Sequence, residues 1–346
     1  MVEAGGDRNL MGVLAAGAGA ALTGAGLTWV LIRVLHHFGV VDAPVARSLH
    51  HQPVARGGGL AVLVALAIGV LVGATLGSDY HAMGASWLLA STVLYGALGF
   101  NDDLTSLSAR FRFAIQVVLG FLVALVGTIL TGWSPVWALF AAGALLVAVN
   151  VTNFMDGANG LVSTHTVVSG LWLAVLALTA DSPTTALFSA SLAGAALGFL
   201  PFNAVAPKIF LGDVGSYSIG AALTAAALVL AGNGVPIAAL LAPFLVYLLD
   251  TAYTLQLRIR AGERWYEPHK LHIYQRLITA GWSHLRVAGT VSFVAASMCL
   301  LTLPMLLDAP VPLQVVTAVL ILAVAAAYLR LPVWASAPVP WRKAAT

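Results

Sequence analysis

The sequence predicts an all-α polytopic membrane protein with about eleven transmembrane helices, its N-terminus outside and its C-terminus cytoplasmic. Three observations carry this. Of 346 residues, 60% are hydrophobic and 8% are charged, against roughly 25% charged in soluble domains. Apolar runs of about 20 residues, long enough to cross a bilayer as a helix, recur from end to end. Finally, the basic residues fall almost entirely into alternate connections.

The first run, Leu10–Leu35, follows Glu3 and Asp7. It lacks the basic start and cleavage pattern of a secretory signal, and it is long enough to span. Gly59–Leu76, Ala85–Phe100, Phe111–Leu130 and Val136–Val149 follow, then Thr166–Ala180, Thr185–Phe202 and Ser216–Ala231. Several are short or rich in Gly and Ala, a composition that lets membrane helices approach closely. Val235–Leu255, Val287–Leu307 and Val311–Leu331 complete the set. The connections are too short for a soluble domain, and no internal repeat is evident. The chain reads as one transmembrane domain, 1–346. The lone cysteine, Cys299, lies in an apolar run, which excludes a disulfide framework and a thiolate metal site.

With the N-terminus outside, only Arg8 of the 16 Lys and Arg residues is outside. The rest gather on the cytoplasmic side, as the positive-inside rule requires. That side also carries nearly every polar motif, in loops near 42–59, 101–113, 150–163, 203–216 and 258–285. The first holds Arg47, His50, His51 and Arg56 before a triple glycine, whose backbone N–H groups can approach an anion. A basic loop touching lipid headgroups would look the same. The second opens with the adjacent acids Asp102 and Asp103. The third, NVTNFMDGANGL, spaces Asn153, Asp156 and Asn159 every three residues, roughly on one face of a frayed helix end. A capped helix end with a turn explains it equally well. The fourth holds Asn203, Phe210 and, between glycines, Asp213; the fifth is the most charged, with His269, Lys270, His272 and Arg276. Asp250 ends an apolar run and reads as structural.

No single aspartate at a span end demands a function, because it can reach water. Asp102, Asp103, Asp156 and Asp213 nevertheless share one membrane face on three loops. Gathered like charges repel unless a cation joins them. Hard oxygen ligands without thiolates point to magnesium, with manganese as the alternative. Magnesium takes one or two carboxylates plus substrate phosphates, and the basic loops would hold the remaining phosphate oxygens. The residues thus imply phosphoryl transfer at the membrane surface. A transporter would place its binding groups near the midplane, often in inverted repeats. A magnesium-dependent intramembrane prenyltransferase would space its acids three or four apart, unlike the adjacent pair at Asp102.

The RSLHHQP…RGGG, NFMDGANG and FLGDVGS segments, in this order and on one face, resemble the polyprenyl-phosphate N-acetylhexosamine-1-phosphate transferases. These are related to phospho-N-acetylmuramoyl-pentapeptide transferase, and the look is nearest to the branch that initiates O-antigen or exopolysaccharide chains. The resemblance runs from about Asp42 to about Leu277. It implies transfer of an N-acetylhexosamine 1-phosphate from a UDP-sugar to undecaprenyl phosphate with release of UMP, at the cytoplasmic face of a bacterial inner membrane. It makes Asp102, Asp103, Asp156 and His272 catalytic, the acidic pair handling the lipid phosphate, and Asp213 the magnesium ligand with Asn153 beside it. Asn159, Asn203, Phe210, Arg56, His269 and Arg276 fall to the nucleotide-sugar, and Arg47 and His50 to the lipid phosphate. The partners implied are both substrates, the bilayer and, optionally, a second copy as a homodimer; no nucleic acid is expected. Many members read His-x-His-His where this chain has His272-Ile273-Tyr274-Gln275. Tyr274 and Gln275 are therefore expected to influence which sugar is accepted, with Trp265 and Tyr266 available to pack on its ring.

Overall fold

The computed structural model describes residues 2–42, 53–77, 80–263 and 271–337. In chain order its helices are α1 (Val2–His37), α2 (Gly59–Leu76), α3 (Ala82–Thr105), α4 (Ala109–Thr131), α5 (Trp137–Met155), α6 (Leu161–Thr179) and α7 (Pro183–Asn203). They continue with α8 (Gly212–Gly232), α9 (Ile237–Arg260), α10 (Ile273–Thr279), α11 (His284–Leu301), α12 (Leu303–Leu306) and α13 (Val311–Trp334). Among the described residues, 11 helical stretches are long and apolar enough to cross a membrane, α11 and α12 counting as one. The protein is a multi-pass membrane protein.

The bundle is built around α7 and α8, the most enclosed spans. Helix α1 packs on α2 and α7, α3 on α8, α6 on α7, and α5 on α4 and α8. Small residues permit this. A Cβ on Gly194 would collide with the Gly17 carbonyl, and one on Gly198 with the Ala21 carbonyl, so α1 and α7 touch backbone to backbone. Helix α9 contains Pro243, which has no N–H for the carbonyl four residues back. That carbonyl, on Ala239, instead accepts from Trp172 Nε1 at 2.8 Å. His165 Nε2 lies 2.7 Å from the Pro243 carbonyl, with its ring stacked on Tyr247 at 3.9 Å. The irregularity in α9 is thus filled by α6.

Two features differ from the sequence expectation. First, helices run further toward the acidic face than hydropathy suggests: α3 ends at Thr105 rather than Phe100, α5 at Met155 rather than Val149, and α8 begins at Gly212 rather than Ser216. Polar residues stop an apolar run without stopping a helix whose flanks are packed. Second, the chain is not wholly α. Strands β1 (Val41–Asp42), β2 (Val54–Arg56) and β3 (Ile209–Phe210) form a small sheet. β1 pairs antiparallel with β2, and β2 pairs parallel with β3, placing Arg56 opposite Phe210. Elements of two or three residues carry no readable period. Gly58 and Gly59 extend the tie by donating to the carbonyls of Phe210 (2.9 Å) and Leu211 (2.8 Å). The α1–α2 connection is thereby fastened to the start of α8.

Candidate active site

The first turn of α8 is the point where four segments meet. Gly212 has φ +76°, a conformation glycine adopts without cost, and a Cβ there would lie 2.7 Å from Asp103 Oδ2. Asp103 at the end of α3 needs that space. Its Oδ1 accepts from Asp213 N and its Oδ2 from Val214 N, each at 3.0 Å. A carboxylate there satisfies two N–H groups that have no partner within the helix and meets the positive end of its dipole. Arg56 Nη2, on β2, lies 2.8 Å from Asp103 Oδ1 and 3.7 Å from Asp213 Oδ2. Burial alone would lower the Arg56 pKa. The charges of Asp103, Asp213, Asp42 and Asp156 more than offset this and hold it above its ordinary value, so Arg56 is a permanent cation.

Asp213 Oδ1 accepts from Asn153 Nδ2 at 2.8 Å, and the same nitrogen lies 3.0 Å from Ser216 Oγ. Asp156 terminates α5. Among the described residues its carboxylate accepts no hydrogen bond. Burial, then the charges of Asp213 and Asp103, push its pKa well above the carboxylate range, with Arg56 opposing.

The acidic pair is divided. Asp102 is buried, with Oδ2 accepting from Arg112 Nη1 at 2.8 Å and Tyr217 OH at 3.0 Å, and Oδ1 accepting from Leu107 N at 2.9 Å. Both carboxylates are therefore engaged, Asp102 with Arg112 and Tyr217 and Asp103 with α8 and Arg56. A carboxylate holding three donors is a poor proton acceptor. The pair sets the position of α8, and Asp213 with it.

Asp213, Asp156 and the Asn153 oxygen fit a hard cation. They are hard-oxygen donors, and neither the Asp156 carboxylate nor Asn153 Oδ1 accepts a hydrogen bond among the described residues. No three His, Cys, Asp or Glu side chains among those residues form a ready ligand cage. Phosphate oxygens would have to complete the shell, as is usual for magnesium.

The rest of the NFMDGANG segment is a turn, after which α6 starts. Asn159 donates its backbone N–H to His284 Nδ1 at 3.0 Å. Asn203 is buried, and its Oδ1 accepts from Gly160 N at 2.8 Å while its Nδ2 donates to the Ile209 carbonyl at 3.0 Å. The amide of Asn203 thus ties the turn to β3. Phe210 is half-buried beside Arg56.

Asp250 organises the histidine segment. It is fully buried in α9, and its Oδ1 lies 2.9 Å from His272 Nδ1. Tyr274 is buried as well, donating its hydroxyl to the Phe154 carbonyl at 3.0 Å. Burial and the charges of Asp250 and Asp156 push the Tyr274 phenol up. Gln275 Oε1 accepts from His272 N at 3.2 Å. Tyr274 thus locks the segment onto α5, and Gln275 caps α10. Arg276 is buried, with its Nε unpartnered among the described residues. Arg47, His50 and His269, with Trp265 and Tyr266, lie outside the described residues. Sequence reasoning missed Arg112, Tyr217, His284 and the anchoring role of Asp250; the available signal was a charged residue within an apolar run.

Comparison with known proteins decides the family. The profile of Glycosyl transferase family 4 matches residues 85–231. Decaprenyl-phosphate N-acetylglucosaminephosphotransferase of Mycolicibacterium smegmatis is 32% identical over 318 residues, 78% of this chain and 77% of that protein. The chain belongs to glycosyl transferase family 4. A probable undecaprenyl-phosphate N-acetylglucosaminyl 1-phosphate transferase of Bacillus subtilis is 27% identical, with 80% of each chain covered. Phospho-N-acetylmuramoyl-pentapeptide-transferase of Limosilactobacillus fermentum is 32% identical over 269 residues, 71% of this chain and 82% of that protein. This transferase is accordingly an enzyme of the polyprenyl-phosphate phospho-sugar transferase class, and the profile match spans the acidic pair, the NFMDGANG turn and Asp213.

Proposed function

We propose that the protein transfers N-acetylhexosamine 1-phosphate from a UDP-sugar to undecaprenyl phosphate, releasing UMP, at the cytoplasmic face of a bacterial inner membrane. The reaction would initiate a surface polysaccharide. The observation that carries this is an apolar groove along α5, the helix whose end bears Asn153 and Asp156. The groove, of about 810 Å³, is lined by Trp137, Phe140, Ala144, Val147 and Val151 of α5, Leu228 of α8, and Leu241, Phe244 and Leu248 of α9. It follows α5 along the helix as far as Val151, and Asn153 and Asp156 lie within the next two turns of chain. A polyprenyl tail in the groove would bring its phosphate to Asp156 and Asp213. The names of the mycobacterial and Bacillus relatives make N-acetylglucosamine the first sugar to test.

In this reading an oxygen of the lipid phosphate attacks the sugar-bearing phosphorus of the UDP-sugar. The bond from that phosphorus to the bridging oxygen breaks, and UMP departs with the electron pair. The lipid phosphate is already anionic at neutral pH, so alignment and charge stabilisation suffice. Arg56 holds phosphate oxygens while remaining fixed by Asp103. Asp213, Asn153 and Asp156 would hold magnesium or manganese, whose charge would offset that developing on the phosphates. The basic-residue asymmetry supports the cytoplasmic assignment.

The test is purified protein with undecaprenyl phosphate, UDP-N-acetylglucosamine and magnesium, with the released nucleotide identified chromatographically. UMP is expected. UDP as the product would exclude a phospho-sugar transfer.

A further inference from the structure

We propose that Asp250 is a positioning residue for the transfer reaction, acting through His272 by holding its imidazole at a protonated Nδ1. The inference rests on the reaction proposed above. Asp250 is 0% exposed. Its carboxylate collects His272 Nδ1 (2.9 Å), Ile273 N (3.0 Å), Tyr274 N (3.4 Å), Thr254 Oγ1 (3.4 Å) and, from α13, Tyr328 OH (2.8 Å). A carboxylate accepts hydrogen bonds, so the imidazole nitrogen facing it is the one that carries the proton. Carboxylate partners orient imidazoles in this way at metal and acid–base sites.

The His272 side chain also takes part in the capping box with Gln275 that starts α10, but a cap alone would need neither Asp250 nor the flanking rings. Here the ring is fixed on every side that the structure describes. It stacks on Tyr274 at 5.7 Å and 23°, and Phe154 lies 6.2 Å away at 32°. Phe154 is the neighbour of Asn153, and its carbonyl takes the Tyr274 hydroxyl. Among these contacts, Tyr274 is bonded to Asp250 through its backbone N–H, and Phe154 belongs to the segment that ends in Asp156. Asp250 lies on α9, the helix whose other face lines the apolar groove. It therefore joins the helix that lines the groove to the histidine segment.

Four proteins test this: Asp250→Asn, His272→Ala, the double variant, and Tyr328→Phe, which removes a bond to Oδ2 and leaves His272 untouched. In the parent background Asp250→Asn should lower kcat by about tenfold or more, with KM within about threefold. In the His272→Ala background it should change kcat by less than about twofold. Tyr328→Phe should lower Tm with kcat within about twofold. An equal fall of kcat in both backgrounds, or no fall in the parent, overturns the proposal. A second measurement needs no Asp250 variant. Nitrogen-15 NMR of histidine-labelled parent, with the His272 signals assigned by their loss in His272→Ala, should show a protonated Nδ1. An unprotonated Nδ1 overturns the proposal even if Asp250→Asn does not fold. A parent that releases no UMP would refute the proposed reaction and leave the NMR result to decide the geometry.

Discussion

Asp103 holds Asp213 by its backbone: the Asp213 N–H donates to Asp103 Oδ1 at 3.0 Å, and Arg56 then joins the two side chains from outside. The two acids differ in what they hold: Asp103 takes the N–H groups of α8, and the Asp213 side chain meets Asn153 and Arg56. Asp213→Asn should lower kcat at least about a hundredfold, the scale of losing one electrostatic stabiliser, with Tm nearly unchanged. Asp103→Asn should lower Tm as well, since it weakens a helix cap worth about 1 kcal/mol and an ion pair. UMP release and thermal melts in detergent would check both, and equal Tm values would remove the distinction.

Asp102 is predicted to matter for folding first. Its pair with Arg112 is closed on the Asp102 side, and breaking a buried pair costs about 3–5 kcal/mol; Arg112, 28% exposed, places this one toward the lower end. Asp102→Asn should therefore reduce Tm and the yield of monodisperse protein, and Tyr217→Phe should do so more weakly. An Asp102→Asn protein of parental Tm with no activity would return Asp102 to the chemistry.

Asp156 gives a pH signature. Its folded pKa is raised, so its contribution to stability is fully present below the unfolded value, near 3.9, and is lost as pH rises through the folded value. Asp156→Asn should thus raise Tm in metal-free buffer at neutral and alkaline pH, with the two melting curves converging in acid. Magnesium competes with the same proton, so its apparent affinity for the parent should increase with pH. A Tm difference that grows toward low pH would contradict the sign.

Tyr274→Phe removes the bond to the Phe154 carbonyl, a loss of roughly 0.5–1.5 kcal/mol. Activity should drop by about two- to tenfold with every UDP-sugar, the ratios among sugars staying within about twofold. A sugar-dependent effect would reinstate Tyr274 as a selectivity residue.

The eleven spans were legible because hydropathy reports the cost of exposing backbone and polar groups to lipid. The acids were legible as a class for the same reason. Their individual roles were not. Asp102 and Asp103 are adjacent in sequence, yet one turns to Arg112 on the next helix and the other to the N–H groups of α8, a helix distant in the chain. Asn203 carries the residue type of a ligand contact and serves as a strut. Asp250 reads as structural in an apolar run, and only folding reveals its bond to His272, 22 residues away. The strands at Asp42, Arg56 and Phe210 left no pattern, since their pairing joins segments separated by most of the bundle.

The glycines around α8 carry a genetic consequence. A Cβ on Gly99 would collide with the Asp213 carbonyl, one on Gly59 with the Gly215 backbone, and one on Gly58 with the Phe199 ring. No rotamer change relieves a clash with backbone. In a saturation mutagenesis screen these silent-looking positions should therefore score as intolerant as the aspartates, alanine included. Suppressors should be rare at neighbouring side chains, because what fixes the acid there is the absence of atoms rather than a contact that another residue could replace.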